Sequence, residues 1–248
     1  MDMLEINDLK FSIEKLNILQ GINLKVPKGQ TLGVIGPNGS GKTTLFNCLS
    51  GFNTNLDGTI FFKEKNITKM PAHKRAKNGI GRVFQNFGIF REMSVLENIL
   101  IALESKQSFL KNITPFSKQN KENVSLAMEY LAKIRLAEKY KQKAASLSGG
   151  QMRLLEIIRT LAFGADLLLL DEPTAGVSPK MKEDISELIK ELQKQDKTIL
   201  IIEHDINFIQ NFCHRIVVLD LGLVALDGTP EFVRNNERLK EIYFGKNS

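Results

Sequence analysis

A glycine-rich segment near the start of the chain places a lysine and a threonine in a pattern suited to phosphate chemistry. Residues 36–43 read Gly-Pro-Asn-Gly-Ser-Gly-Lys-Thr and match the pattern G-x-x-x-x-G-K-[ST]. The glycines permit backbone turns that residues with a Cβ avoid, so that successive N–H groups converge on phosphate oxygens. Lys42 supplies a mobile cation for β- and γ-phosphates, and the Thr43 hydroxyl suits Mg²⁺. We therefore expect ATP to contact Gly36, Pro37, Asn38, Gly39, Ser40, Gly41, Lys42, Thr43 and Thr44.

Two acids follow an apolar run in the second half of the sequence. Residues 167–170 are all leucine, and Asp171 and Glu172 come directly after them. Such a run is typical of a strand that is covered on both faces, so the acids emerge at its carboxyl end, where open α/β sheets bind their ligands. Asp171 suits the Mg²⁺ shell, with water between, because Mg²⁺ keeps most of its hydration. Glu172 is then the candidate general base for the attacking water.

A second glycine-rich turn lies in the middle of the chain, in the order Leu147, Ser148, Gly149, Gly150, Gln151. It precedes a helical pattern with an apolar stripe, and Ser148 is placed to cap that helix. The two glycines expose backbone N–H groups, which makes the turn a second candidate anion site. One nucleotide does not easily fill two such sites in one fold, so this one is expected to serve the ATP of another subunit; an ordinary capped helix is the alternative.

The remaining pattern shows which elements position these residues. Apolar alternation predicts strands over residues 4–11, 21–26, 31–35, 58–62, 82–84, 167–170, 198–202, 215–219 and 223–227. Helical periodicity predicts helices over 42–50, 95–103, 121–134, 151–163 and 179–195. The order strand, glycine-rich loop, helix is typical of an α/β core with parallel strands. From about residue 85 to 146, lysine-rich amphipathic helices replace the strands, which indicates a helical subdomain inserted into that core.

Composition narrows the class of protein. The chain has 248 residues, of which 42% are apolar and 25% charged, as in an ordinary globular protein, and it contains no apolar run of membrane-spanning length. Two cysteines, Cys48 and Cys213, predict no disulfide framework and favour a reducing cytoplasm. The net charge of +6 comes from lysines that are dispersed along the chain. The sequence lacks the alternation of arginines and aromatic residues that binds single-stranded nucleic acid, so a nucleic-acid partner is not expected.

Five features of the sequence occur in the order and spacing of an ABC-type ATPase, which the chain resembles over its whole length. They are residues 36–43, Gln85, residues 147–151, the acid pair and His204. The resemblance implies an α/β fold, a P-loop NTPase core with an antiparallel β subdomain and an inserted helical subdomain. It places the core at 1–84 and 157–248 and the helical subdomain, with the signature turn, at 85–156. It also implies a head-to-tail dimer that sandwiches two ATP molecules between phosphate loops and signature turns.

The same resemblance assigns roles to single residues. Ser148, Gly149 and Gly150 would contact the γ-phosphate held by the partner subunit's Lys42, with Leu147 and Gln151 completing the signature. The catalytic set would be Glu172, His204 and Gln85, and the Mg²⁺ ligands would be Thr43, Gln85 and Asp171. Where the family's dimer loop usually has Asp, this sequence has Ser178.

A narrower similarity covers residues 79–98, 175–179, 202–205, 228–236 and 243–245, which resemble the ATPases of branched-chain amino acid importers. That subgroup also includes urea-type importers and the lipopolysaccharide exporter's ATPase. The resemblance implies a subunit that powers transport from the cytoplasmic face of the membrane. Its partners would be a second ABC ATPase subunit, identical or not, transmembrane permease subunits and an extracytoplasmic substrate-binding protein.

Some assignments stay open at this point. By the family pattern an aromatic residue stacks on adenine, and here either Phe11 or, by apolar contact, Ile13 could serve. The apolar residues around Gln85 either pack in a core or form a groove for a helix of a membrane partner; they are Phe84, Phe87, Ile89, Phe90 and Met93. A soluble ABC ATPase of DNA repair or ribosomes is the alternative from another class, although such chains generally carry two cassettes or a long coiled coil.

Overall fold

The computed structural model describes residues 1–84, 88–106 and 118–244. One sheet is antiparallel and has the order β2-β1-β4-β5. Its strands are β1 (Asp2–Ile13), β2 (Leu16–Pro27), β4 (Asp57–Phe62) and β5 (Lys65–Asn66). In β1 the inward residues Leu4 and Ile6 are two apart, but Leu9 follows three later, because a register shift at Asp8, with φ 47°, inserts an extra residue. This sheet confirms the antiparallel β subdomain.

The second sheet carries the candidate chemistry and has the order β10-β9-β3-β8-β7-β6. Its strands are β3 (Thr31–Ile35), β6 (Ile80–Val83), β7 (Leu167–Asp171), β8 (Thr198–Ile202), β9 (Arg215–Asp220) and β10 (Leu223–Gly228). All pairings are parallel except that of β10 with β9. Every residue of β3, β7 and β8 is buried, as the apolar sequences of these strands predict for the centre of a covered sheet.

Nine helices surround the sheets within the part of the chain that the structure describes. They are α1 (Lys42–Ser50), α2 (Ala72–Lys77), α3 (Val95–Lys106), α4 (Lys118–Lys133), α5 (Gly149–Ala162), α6 (Pro179–Lys194), α7 (Ile206–Ile209), α8 (Pro230–Asn235) and α9 (Glu237–Phe244). The sequence predicted α1, α3, α4, α5 and α6 but missed the four shorter helices. No helix of the described residues is long and apolar enough to cross a bilayer.

The parallel sheet separates two apolar cores. Because successive strand residues point to opposite faces, Leu168 and Leu170 of β7 belong to one core, together with α3, α4 and α5. Leu167 and Leu169 belong to the other, which holds α1 and the antiparallel sheet. The strand ends that carry Asp171 and the phosphate loop are thereby fixed from both sides. Cys48 and Cys213 are both buried free thiols, as the sequence predicts, and burial raises the pKa of Cys48 to about 12.

A buried arginine braces the helix that follows the phosphate loop. Arg75 of α2 is fully buried. Its Nη1 donates to the backbone oxygens of Cys48 and Leu49 at 2.5 and 3.0 Å, at the carboxyl end of α1. Its Nη2 and Nε donate to the carbonyls of Thr68 and Met70. This side chain therefore satisfies carbonyls that the end of the helix leaves without a donor.

Replacing Arg75 by leucine should lower the free energy of unfolding by about 3 kcal/mol, because several buried carbonyls lose their donor. Urea unfolding followed by circular dichroism measures the change. The matched control is Lys74→Leu on the exposed side of the same helix, which should stay within about 0.5 kcal/mol of the wild type. Equal stability of the two variants would contradict the bracing role.

Candidate functional site

The glycine-rich loop connects the carboxyl end of β3 to the first residue of α1, as predicted. It fits closely against the neighbouring strand: a Cβ on Gly36, whose φ is 149°, would lie 2.1 Å from the carbonyl oxygen of Leu219 in β9. The loop also contacts the turn between β9 and β10, where the Gly222 N–H donates to the Ser40 carbonyl at 3.1 Å. The sequence pattern thus forms a fixed loop and not a loose surface turn.

Lys42 lies inside this loop. Its side chain is largely buried, and Nζ donates to the carbonyl oxygens of Gly36 and Pro37 at 2.8 and 2.9 Å. Burial lowers the pKa of Lys42, and the negative charges of Glu172 and Asp171 oppose that shift. The ammonium is therefore held where it can turn from backbone carbonyls to phosphate oxygens.

The hydroxyl group of Ser40, in the loop, indicates that the loop binds a ligand. The Ser40 hydroxyl is buried and has no hydrogen-bond partner among the described residues. Buried hydroxyls are rarely left so, and a bound ligand is one of the groups that satisfies them. The first turn of α1 has N–H groups without partners within the helix and no side-chain cap, so together with them this hydroxyl fits an anion.

Asp171 lies at the end of β7, as predicted, and is held by an arginine that sequence reasoning missed. Its Oδ2 accepts from Nη2 of Arg82 at 2.8 Å, and both side chains are buried. Nη1 of Arg82 also donates to Asn47 Oδ1 at 2.6 Å and to Ser50 Oγ at 3.1 Å. Arg82 thus connects the acid to α1, the helix that follows the phosphate loop. The signal for it was a charged residue inside the short strand β6.

Glu172 and His204 are brought together because β7 and β8 are neighbours. His204 Nε2 lies 2.9 Å from Glu172 Oε1. The Glu172 N–H donates to the carbonyl of Ile202, the last residue of β8, at 3.0 Å. Glu172 has a φ of 47°, so the chain turns sharply after the strand. The two predicted catalytic residues, Glu172 and His204, therefore contact each other at the carboxyl ends of β7 and β8.

A buried glutamate supports this turn and was also missed. Glu203 Oε1 accepts from the Thr174 N–H at 3.0 Å and from its hydroxyl at 2.6 Å. Its Oε2 accepts from the His204 N–H at 3.3 Å. Burial raises the pKa of Glu203, and the nearby charge of Glu172 adds to that shift. Glu203 therefore fixes the segment after Glu172 relative to His204.

The signature turn begins α5 as a capping box. Ser148 Oγ accepts from the Gln151 N–H at 3.3 Å, and Gln151 Oε1 accepts from the Ser148 N–H at 3.2 Å. Gly149 is exposed, whereas Gly150 is buried against Met181 of α6, so the expectation that both glycines are open to a ligand fits only Gly149. Leu147 is buried. No hydrogen bond within the described residues joins this turn to residues 36–44.

The remaining predicted residues lie apart from these contacts. Ser178 caps α6 by accepting from the Met181 N–H at 3.4 Å. Phe11 is partly buried against the core of the antiparallel sheet, while Ile13 is 55% exposed at the end of β1. Gln85 lies outside the described residues, so its predicted roles stay predictions.

The apolar residues near Gln85 divide into two groups. Ile89 is buried in the core, whereas Phe84 and Phe90 are 36% and 49% exposed. These two line a groove of about 390 Å³, and Phe87 lies outside the described residues. Other groove residues are Phe52, Ile101, Ala102 and Phe163. Arg82 lies under Phe84, with its guanidinium 4.7 Å from the ring centre, so the groove touches the residue that holds Asp171.

The site fits Mg²⁺ through few protein ligands. Within residues 1–84, 88–106 and 118–244, no group of three or more His, Cys, Asp or Glu side chains gathers to hold a metal ion. Mg²⁺ does not need such a group, since it binds through one or two oxygen ligands plus phosphates and water. The oxygen donors at the site, a carboxylate at the end of β7 and a hydroxyl at the start of α1, are of that kind.

Comparison with known proteins agrees with this geometry. Residues 19–175 match the sequence profile of the family described as ABC transporter. The chain is 38% identical over 250 residues to the high-affinity branched-chain amino acid transport ATP-binding protein BraF of Pseudomonas aeruginosa and 36% identical to LivG of Escherichia coli K12. Each alignment covers 98% of both proteins. The lipopolysaccharide export system ATP-binding protein LptB of Haemophilus influenzae is 33% identical, covering 99% of this chain and 98% of LptB.

Solved structures give the same result. The crystal structure of an ATP-binding cassette of an ABC transporter in its ADP conformation superposes with a TM-score of 0.87 at 33% identity, covering 99% of this chain and 100% of the other. A dimeric post-hydrolysis cassette bound to ADP and Pi has a TM-score of 0.78 at 27% identity, covering 92% and 99%. By sequence profile, by relatives over its whole length and by fold, this chain belongs to the ABC transporter family and is one of its ATP-hydrolysing cassettes.

Proposed function

We propose that this ATPase binds Mg²⁺–ATP between its phosphate loop and the signature turn of a second subunit and powers the import of branched-chain amino acids. The transport substrate follows from the relatives, since the proteins at 38% and 36% identity are named as branched-chain amino acid transport subunits. The chemistry follows from the site itself. Its cellular place is the cytoplasmic face of the membrane, where ATP is available.

One observation carries the proposal: a buried cation, two acids and a histidine lie together at the carboxyl ends of neighbouring parallel strands. The loop after β3 holds Lys42, the end of β7 provides Asp171 and Glu172, and His204 follows β8. The charges of both acids act on the Lys42 ammonium. This arrangement can hold a triphosphate on one side and a water molecule on the other.

Each residue then has a role in hydrolysis. Thr43 and Asp171, with Gln85, would hold Mg²⁺, which when bound offsets negative charge on the phosphates. Lys42 leaves the carbonyls of Gly36 and Pro37 to contact the β- and γ-phosphates. Glu172 accepts a proton from the attacking water, and its contact with His204 keeps the carboxylate oriented.

The signature turn completes the site from another subunit. Ser148 and the exposed Gly149 present a hydroxyl and the amino end of α5, which attract an anion. They have no hydrogen bond to the phosphate loop of their own chain within the described residues. In a head-to-tail dimer each turn would reach the γ-phosphate held by the partner's Lys42. ABC ATPases work as dimers with permease subunits, and the second ATPase chain here is either identical or related.

The groove beside Phe84 and Phe90 suits a helix of the permease. It is largely apolar, it is lined by helices on both sides, and it touches Arg82, which holds Asp171. A helix seated there would be linked to the acid at the nucleotide site through a single side chain. Import would further require an extracytoplasmic substrate-binding protein that delivers the amino acid to the permease.

A lipopolysaccharide exporter is the second candidate, because LptB shares 33% identity over nearly the whole chain. The two transporters use the same ATPase chemistry and differ in the permease. Purification of the ATPase with its membrane partners, reconstitution into proteoliposomes and assay with a binding protein separate them. Import predicts ATPase stimulation by leucine, isoleucine or valine; stimulation by lipopolysaccharide alone would refute import and support the exporter.

Replacing Glu172 by glutamine should slow ATP turnover at least 100-fold while leaving ATP binding intact, because the general base is lost and the shape is kept. Phosphate release gives the rate. Gel filtration with ATP and Mg²⁺ should show a dimer that persists. Glu183→Gln, on the exposed face of α6, is the control and should behave as the wild type. Normal hydrolysis by Glu172→Gln, or a monomer at saturating nucleotide, would refute the role.

Replacing Lys42 by alanine should weaken ATP binding about 10- to 100-fold, because charge-assisted hydrogen bonds to phosphate are lost. Isothermal titration calorimetry measures the dissociation constant directly. Lys28→Ala removes an exposed lysine of the turn before β3 and should leave the affinity unchanged. An unaltered affinity in Lys42→Ala would contradict the assignment of the loop.

A further inference from the structure

The last helix of the described chain touches the first residue of the phosphate loop. Tyr243 of α9 is partly buried against the core that holds the parallel sheet. Its hydroxyl oxygen accepts a hydrogen bond from the Gly36 N–H at 3.0 Å. The two residues are 207 positions apart in the sequence. No function described above uses this contact.

Gly36 contacts three other parts of the chain. On its amino side, the N–H donates to Tyr243. On its carboxyl side, the carbonyl oxygen accepts from Lys42 Nζ at 2.8 Å. The Cα itself lies so close to β9 that an added Cβ would be 2.1 Å from the Leu219 carbonyl oxygen. The position of Gly36 therefore determines where Lys42 rests and how the loop leaves β3.

Nucleotide binding would change the contacts of Gly36. In the proposed nucleotide complex Lys42 would turn to the phosphates, and the Gly36 carbonyl would lose its contact with the ammonium. The hydroxyl of Tyr243 would then remain as a side-chain group that holds Gly36. The Tyr243 hydrogen bond holds Gly36 in the position seen here, so it should favour this form of the loop over others before nucleotide binds, and such a bias is the condition for an effect on affinity.

The protonation state of the phenol suits this role. Burial raises the pKa of Tyr243, while the hydrogen bond from Gly36 opposes that shift. The hydroxyl therefore stays protonated at neutral pH and accepts from Gly36 through its lone pairs. The aromatic ring packs into the core, which holds the hydroxyl in place at little cost in side-chain freedom.

We propose that Tyr243 is a positioning residue for nucleotide binding: its hydroxyl holds Gly36 so that the phosphate loop is formed before ATP arrives. The inference rests on the proposed function, in that residues 36–44 bind the nucleotide. It adds that the carboxyl-terminal helix is part of the nucleotide site. A loop that is ordered in advance loses less conformational freedom on binding.

The test replaces Tyr243 by phenylalanine, which keeps the ring and removes only the hydroxyl. The control is Tyr140→Phe, the same chemical change in the turn after α4, where the Tyr140 carbonyl accepts from the Leu96 N–H. Calorimetry with ADP should show about 3- to 10-fold weaker binding for Tyr243→Phe, as expected for one hydrogen bond. The control should bind as the wild type.

A second measurement observes the contact without nucleotide. The chain has 18 glycines, so selective ¹⁵N-glycine labelling gives a simple spectrum in which the Gly36 amide can be followed. Its resonance should shift, and its hydrogen exchange should quicken, in Tyr243→Phe but not in Tyr140→Phe. Urea unfolding of both variants shows whether the rest of the fold is intact.

The outcomes are distinct. Weaker ADP binding together with an altered Gly36 amide supports the proposal. Wild-type affinity in Tyr243→Phe overturns it, even where stability falls, because the contact would then be structural only. If the wild type itself does not bind ADP, both the inference and the proposed function fail.

Discussion

The contacts of the buried Lys42 ammonium are the interaction around which the proposed nucleotide site is arranged. A charge in this position must be compensated, and two backbone carbonyls of the loop and two acids at the end of β7 provide the compensation. The loop can surround Lys42 only because Gly36 approaches β9 without a side chain. The fully buried strands β3 and β7, which are covered by an apolar core on each face of the sheet, fix the positions of the loop and of the acids. In the proposed nucleotide complex, phosphate oxygens would replace the carbonyls as partners of Lys42 while the sheet stays in place.

Two buried side chains, Arg82 and Glu203, orient the residues that are proposed to react. Arg82 holds Asp171 and also contacts α1, so the acid and the loop helix move together. Glu203 joins the segment after Glu172 to the segment after β8. Arg82 also lines the groove beside Phe84, so the docking of a permease helix in the proposed groove and hydrolysis would influence each other through this side chain.

The sequence predicted those parts of the site that depend on neighbouring residues. The phosphate loop, the acids after β7 and the cap at Ser148 are each set by a short segment with strong local preferences. It missed contacts between distant segments, such as Arg82 with Asp171 and Tyr243 with Gly36, because pairing of this kind depends on strand order and not on spacing. It also missed the shortest helices, α2, α7, α8 and α9, which have too few turns for a clear apolar periodicity. Burial of Gly150 against α6 likewise depends on packing between two helices.

We propose that each of two chains supplies half of each nucleotide site. A crystal or cryo-electron microscopy structure of the Glu172→Gln protein with ATP and Mg²⁺ would show whether the two chains share the sites in this way. We expect a head-to-tail dimer in which the Ser148 hydroxyl and the Gly149 N–H contact the γ-phosphate bound by Lys42 of the partner subunit. A nucleotide-loaded dimer in which Ser148 lies far from every triphosphate would contradict it.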